Sequence, residues 1–123
     1  MESILNSIKK LLGIAEDYDH FDSDIIMHIN SVFATLTQLG VGPEDGFSID
    51  DESAKWEDFL PEERMLHSVK SYMFMKVKLM FDPPLSSAVI ECTKEQIKEL
   101  EWRLQVAVDS ANTKSEEEIQ NGE

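Results

Sequence analysis

The sequence is poor in the residues that build disulfide scaffolds, sheets and membrane spans. A single cysteine, Cys92, among 123 residues excludes an internal disulfide and a metal site made of several cysteines. Five glycines, four prolines and no alternating run of β-branched residues favour helices over a fold of strands and tight turns. No apolar run approaches the roughly 18 residues of a transmembrane helix, and the amphipathic start MESILNSIKKLLG is unlike a signal peptide. We therefore expect one helical domain that is cytosolic or part of something assembled in the cytosol, with no membrane partner.

Positive charge is also scarce. Lys and Arg total 11 against 25 Asp and Glu, which gives a formal net charge of −14. Such a chain lacks the clustered cationic face that duplex binding requires. It suits a protein that repels nucleic acid or meets a basic partner. One alternative that this charge allows is an acidic DNA mimic that inhibits a nucleic-acid-binding enzyme. Against it, the carboxylates are spread among lysines and not arrayed on one long surface. A generic regulatory or scaffold helical bundle is another alternative.

Motifs for catalysis and metal binding are missing. The sequence has no HExxH, no GxSxG and no glycine-rich phosphate loop, and His20, His28 and His67 form no His-x-x-x-His pair. The acidic stretch EDYDHFDSD fails as a calcium loop, because counting from Asp17 places Asp22 at the glycine position and His28 at the glutamate position. We predict no catalytic centre, no metal and no cofactor.

Hydrophobic spacing predicts an all-α, four-helix bundle-like subunit with one long irregular loop and an extended C-terminal tail. The predicted helices cover residues 2–12, Asp22 or Ser23 (as N-cap) to Leu39, Glu62–Phe81, and a stretch from shortly after Pro84 to Asp109. Gly13 and Gly40 are placed to end the first two. KWEDFLPEE is expected to hold one short helical turn, and residues 41–54 form the irregular loop. The helical domain is predicted to span 1–110 and the tail 111–123.

The third predicted helix contains no carboxylate between Arg64 and Phe81. Its buried face is predicted to consist of Met65, Leu66, Val69, Tyr72, Met73, Val77 and Met80. Lys76 falls in the middle of that face, where it must snorkel to the surface or find a partner. Phe74 and Met75 project from the other side. This helix is therefore expected to be contacted from two directions.

The fourth predicted helix carries an apolar stripe and two apolar residues outside it. The stripe comprises Leu85, Val89, Cys92, Leu100, Leu104 and Val108, with Cys92 expected to pack as a core residue. Trp102 and Val106 project off the stripe, which indicates an interface. The predicted subunit–subunit interface comprises Arg64, Phe74, Met75, Lys76, Lys78, Trp102 and Val106. We expect Arg64, Lys76 and Lys78 to pair with carboxylates of the fourth helix or of an adjacent subunit.

Several of these segments together resemble a known family. The string VKSYMFMKVKLMFDPP, followed by KEQIKELEWRL and VD, resembles the head–tail connector, or adaptor, proteins of long-tailed double-stranded DNA bacteriophages. The segment DIIMHINSVFATLTQLGVGPEDGF resembles the second helix and loop of the same family. The resemblance covers about residues 20–109.

The resemblance implies a structural virion protein of the neck, assembled in the host cytoplasm. Such subunits form a ring, typically of twelve copies, beneath the portal; the ring extends the DNA channel and joins the capsid to a stopper or tail protein, and DNA passes through without specific binding. The family has no catalytic centre and no cofactor. It assigns portal docking to the tail, through Asn112, Thr113, Lys114, Ser115, Glu116 and Ile119. Candidates for a tail-side or channel loop are Pro43, Glu44, Asp45, Phe47, Asp50 and Asp51.

Overall fold

The computed structural model describes the backbone of residues 2–121 and the side chains of residues 2–111. Five helices are present, and they are α1 (Ile4–Leu11), α2 (Asp22–Gln38), α3 (Trp56–Phe59), α4 (Glu63–Phe81) and α5 (Ser87–Asn121). Over residues 2–121 there is no β-strand, only an isolated antiparallel bridge between Ser3 and Lys55. The all-α prediction is confirmed, and α3 is the short turn expected in KWEDFLPEE.

The helix ends follow from local hydrogen bonding. Gly13 and Gly40 have φ values of +80° and +84° and end α1 and α2 as predicted, since glycine adopts the left-handed conformation without a Cβ penalty. After Gly40, the Val41 N–H donates to the Leu36 carbonyl at 2.9 Å. The predicted cap of α2 is wrong: Phe21 occupies the N-cap position, so Asp22 already lies in the first turn.

Helix α4 lies in the middle of the fold and packs against both α2 and α5, while α1 packs on α2. Helices α4 and α5 are antiparallel. The Tyr72 hydroxyl reaches Glu101 at 2.7 Å, and Met65, about two turns earlier in α4, lines the same groove as Val108. The predicted central position of the carboxylate-free helix is therefore what the structure shows.

The core fills the space between α1, α2, α4 and the connection from α2 to α3. At its centre, the Phe33 ring lies 4.7 Å from Phe59 and 5.0 Å from Phe47, measured between centroids. Trp56 is buried beside them and its Nε1–H donates to the Ser7 hydroxyl at 2.8 Å. Such an aromatic cluster contributes both buried area and ring–ring contacts. It fixes α3 against α1 and α2.

The connection between α2 and α3 is anchored along its length. Asn30 of α2 accepts the Ile49 N–H at 2.8 Å and donates to the Ile49 carbonyl at 3.0 Å. The Ser3 hydroxyl donates to the Glu52 carbonyl at 2.7 Å. Near the start of the connection, a Cβ on Gly42 would overlap the Phe59 ring, and Gly42 has a φ of +87°. The irregular loop is therefore a packed part of the fold.

Helix α5 is longer than predicted. It contains 35 residues against 19 in α4, which corresponds to about 52 Å against about 28 Å at 1.5 Å per residue. The expected end near Asp109 is wrong, because the backbone continues helical to Asn121. The predicted boundary at residue 110 therefore falls inside a helix. Within the described residues, no helix combines the length and the apolar content needed to cross a bilayer.

Candidate assembly surface

Lys76 finds its partner inside the subunit. Its ammonium lies 5.4 Å from the centroid of the Tyr72 ring, within the range of a cation–π interaction. Tyr72 is buried and its hydroxyl donates to Glu101 of α5. Burial and this hydrogen bond raise the pKa of the Tyr72 hydroxyl. Among the described residues Lys76 contacts an aromatic face and no carboxylate of α5; a carboxylate partner in an adjacent subunit stays a prediction.

The other two cations of the predicted interface differ from each other. The Lys78 ammonium lies 2.7 Å from Asp82, four residues along the same chain. This pair spans one turn at the end of α4, so Lys78 has a carboxylate partner that is neither in α5 nor in a second subunit. Arg64 is exposed near the start of α4 and forms no ion pair with any carboxylate of the described residues. Arg64 is therefore available to a partner.

Phe74 and Met75 offer only part of their surface to a second subunit. Both are partly buried, and both pack against the hydrophobic core. Their ring and thioether atoms therefore already contribute to the stability of the subunit. They can add a limited area to an interface, but they are not free apolar groups as the off-face position predicts.

The apolar stripe of α5 follows the predicted one only in its C-terminal half, where Leu104 is buried and Leu100 and Val108 pack against the core. Ile97 and Leu104, seven residues apart, are the buried positions, and this is the spacing of a packed helix face. Cys92 is exposed, which corrects its prediction as a core residue. It lies five residues before Ile97, about 140° around the helix. Val89 and Leu85, 48% and 105% exposed, also lie outside the core.

Trp102 and Val106 form an exposed apolar pair on the outer face of α5. Their exposed fractions are 64% and 42%. Glu95 and Glu99 precede Trp102 by seven and three residues, so they share this face. We call Glu95, Glu99, Trp102 and Val106 the α5 knob. An indole exposed to this extent on a helix face is typical of an interface anchor.

A groove lies between the start of α4 and the C-terminal half of α5. Its volume is about 370 Å³. The lining residues are Glu62, Arg64, Met65, Ser68, Arg103, Leu104, Ala107, Ser110 and Ala111. We call this the arginine groove, because Arg64 and Arg103 contribute its cations. The Arg103 guanidinium lies 2.6 Å from Glu99 of the same helix. Sequence reasoning identified Arg64 but missed the groove, since it depends on how α4 and α5 pack.

The loop candidates are distributed along the molecule. Pro43 lines a cleft with Val108 and Ala111, at the end where the C-terminal half of α5 lies. Phe47 packs in the aromatic core. Glu44 and Asp45 are exposed.

Two further loop candidates lie near the beginning of α2. Asp50 and Asp51 line a cleft there with Ser23. Hydrogen bonds from the Ser53 hydroxyl and N–H lower the pKa of Asp51. The predicted docking residues Asn112, Thr113, Lys114, Ser115, Glu116 and Ile119 have side chains outside the described residues.

A buried lysine also escaped sequence reasoning. Lys9 is 1% exposed, and its ammonium donates to the Glu16 carbonyl at 3.0 Å. It also lies 2.9 Å from Asp22 Oδ1, a buried oxygen that accepts no hydrogen bond of good geometry, so this contact is mainly Coulombic. Lys9 and Lys10 are adjacent at the end of an amphipathic helix, and nothing in the sequence indicated that the Lys9 side chain is buried. No group of three or more His, Cys, Asp or Glu side chains in the described residues is arranged to hold a metal ion.

Comparison with known proteins identifies the family. The family model described as phage connector protein matches residues 4–111, which span all of α1 to α4 and most of α5. The comparisons with curated proteins and with solved structures gave no match. The matched region includes every residue of the α5 knob and of the arginine groove. The chain therefore belongs to the phage connector proteins, a family with a structural role in the virion.

Proposed function

We propose that this protein is a head–tail connector subunit that forms a ring beneath the portal of the capsid. The ring extends the DNA channel and joins the capsid to a stopper or tail protein in the virion neck. Membership of the phage connector family carries this proposal. The resemblance of the α4 and α5 segments implies about twelve copies, in a cyclic arrangement of identical interfaces.

Two different exposed surfaces support a ring. A head-to-tail contact buries one surface on each side of every subunit, and it closes into a ring when the rotation between subunits permits. The α5 knob and the arginine groove differ in chemistry, since the first has an exposed indole at its centre and the second is a concave surface that carries two arginines. A symmetric dimer would need one self-complementary patch instead.

The charge of the chain supports a DNA channel without specific binding. A formal net charge of −14 makes the average surface repulsive to phosphates. Such a wall lets the genome slide through the ring. In the alternative, an acidic DNA mimic, the same charge would bind an inhibited enzyme. The outer face of α5 carries Lys94 and Lys98 among its glutamates, which weakens that alternative.

The C-terminal segment from Asn112 onward is our proposed portal-docking element. Helix α5 continues through this segment to Asn121, so the segment extends the same helix that carries the α5 knob. The sequence KSEEEIQNGE has more acidic than basic residues and suits a basic portal surface. Asp50 and Asp51 lie near the start of α2, away from the C-terminal half of α5. They are the loop residues that best suit a tail-side contact.

Co-sedimentation with the portal protein tests this function. We expect the full chain to sediment with portal rings and a chain ending at Ser110 to lose that association while staying folded by circular dichroism. A matched control, Glu44→Gln with Asp45→Asn, should keep portal binding because these residues lie outside the docking segment. A full chain that stays monomeric, does not sediment with the portal protein and binds a nuclease would instead support the DNA mimic.

A further inference from the structure

We propose that Trp102 of one subunit inserts into the arginine groove of the next subunit and is held there between Arg64 and Arg103. This inference rests on the proposed ring and specifies the contact that builds it. The occupant of the groove is thus a second copy of this chain. The two surfaces recur around the ring, so every subunit contributes one knob and one groove.

The knob has the chemistry of an anchor without a partner in its own subunit. Trp102 is 64% exposed, whereas Trp56 is buried. Val106 follows one turn later on the same face and is 42% exposed. Glu95 and Glu99 flank the pair on the N-terminal side. Glu95 and Glu99 are paired with Lys98 and Arg103 of the same helix, so this face offers an apolar centre with a border of paired charges.

The groove has the complementary chemistry. Met65, Leu104 and Ala107 provide apolar lining, Arg64 and Arg103 provide cations, and Glu62 provides one carboxylate. Arg103 is paired with Glu99 of its own helix. Arg64 is exposed and has no carboxylate partner among the described residues. An indole in such a groove gains apolar burial and cation–π contacts with guanidinium groups. Tryptophan and arginine are also the residues most often found as interface anchors.

The groove cannot be filled by the Trp102 of the same subunit. Ala107 lines the groove and lies five residues from Trp102, about 140° further around α5 at 3.6 residues per turn. Leu104, two residues from Trp102, is directed towards the core. Trp102 and the groove therefore point in different directions from α5, although Glu99 of the knob and Arg103 of the groove form an ion pair where the two surfaces meet. A contact between them joins two subunits head to tail.

A disulfide cross-link tests the contact directly. The chain carries Ser68→Cys in the groove and Val106→Cys in the knob, so that Trp102 itself is kept, with Cys92→Ser to remove the exposed native thiol. Assembled with the portal protein and oxidised, it is expected to give a ladder of covalent multimers. The control replaces the knob cysteine by Gln105→Cys, an exposed position elsewhere on α5, and is expected to give no ladder.

The outcomes separate the contact from the ring. Rings visible by electron microscopy without a Ser68→Cys/Val106→Cys ladder would overturn this contact and leave the proposed function standing. A wild-type chain that forms no ring with the portal would overturn the proposed function and the contact together. In the chain with its native Cys92, Trp102→Ala and Arg64→Glu are each expected to weaken the affinity between subunits by roughly 30-fold or more. Lys10→Glu, the same charge change on exposed α1, should leave assembly near wild type; equal assembly of all three variants would contradict the contact.

Discussion

The Tyr72 hydroxyl donates a hydrogen bond of 2.7 Å to the Glu101 carboxylate and so connects α4 to α5. The Lys76 ammonium covers the same ring from within α4. Glu101 directly precedes Trp102 in the chain, so this connection lies next to the residue that we place in the subunit contact. The hydrogen bond from Tyr72 to Glu101 therefore holds α5, which carries the knob, against α4.

Tyr72 makes the free energy of unfolding depend on pH in the alkaline range. Burial, together with the hydrogen bond to Glu101, raises the pKa of Tyr72 above its usual value of about 10. The folded state therefore holds the phenolic proton more tightly than the unfolded state. This stabilisation is fully present below pH 10 and is lost as the pH rises above it.

Urea unfolding between pH 8 and 11 measures this effect. The Tyr18→Phe background leaves Tyr72 as the single tyrosine, so tyrosinate absorbance reports on it alone. We expect Tyr72 to ionise above pH 10. We also expect the free energy of unfolding to fall more steeply with rising pH than in Tyr72→Phe, which has no phenolic hydroxyl. Identical pH profiles of the two proteins would show that Tyr72 contributes nothing.

Lys9 is predicted to stabilise the junction of α1 and α2. Replacement of Lys9 by Met leaves the Asp22 carboxylate and the Glu16 carbonyl without their partner, and the Asp22 side chain keeps 27% exposure. We expect a loss of about 2 kcal/mol in the free energy of unfolding, measured by urea denaturation. Lys10→Met, on the exposed neighbour, is the control and should change stability little. The double variant Lys9→Met with Asp22→Asn should recover part of the loss; no recovery would argue against the pairing.

Asn30 is predicted to hold the α2–α3 connection. Asn30→Asp keeps the acceptor for the Ile49 N–H but removes the donor to the Ile49 carbonyl, whereas Asn30→Ala removes both. The expected losses in the free energy of unfolding are about 1 and about 2 kcal/mol. Amide hydrogen exchange at Ile49 should accelerate most in Asn30→Ala. Unchanged protection there would mean that packing of Ile49 alone fixes the connection.

Gly42 and Gly13 form a matched pair of glycines with positive φ. A Cβ at Gly13 meets no atom within 4 Å, whereas a Cβ at Gly42 overlaps the Phe59 ring. We expect Gly13→Ala to cost about 1 kcal/mol from backbone strain alone. Gly42→Ala should cost about 2 kcal/mol more because Phe59 must move. Thermal denaturation of both variants measures the difference, and equal melting temperatures would contradict the packing around Phe59.

Local signals in the sequence predicted the helices well. Apolar spacing placed α1, α2 and α4 within about two residues of their ends, and Gly13 and Gly40 marked two of the stops. Asp82 and the two prolines after it ended α4 as expected. These features depend on residues near one another in the chain. The predicted exposure of Trp102 and Val106 followed from the same spacing.

Features that depend on packing between distant segments could not be predicted. Cys92 was assigned to the core because a slowly drifting stripe fitted the sequence, but α4 contacts α5 along Ile97 and Leu104. Lys9 gave no signal, because its burial depends on the 14–22 segment folding over it. The arginine groove requires the antiparallel register of α4 and α5. Sequence periodicity alone does not determine that register.

Electron microscopy of the full chain mixed with the portal protein tests the central claim most directly. We predict a closed ring seated on the portal, in which α5 of each subunit lies against the start of α4 of the next. At side-chain resolution, Trp102 should lie between Arg64 and Arg103 of the neighbour. A chain that remains monomeric beside bare portals would contradict the connector function proposed for it.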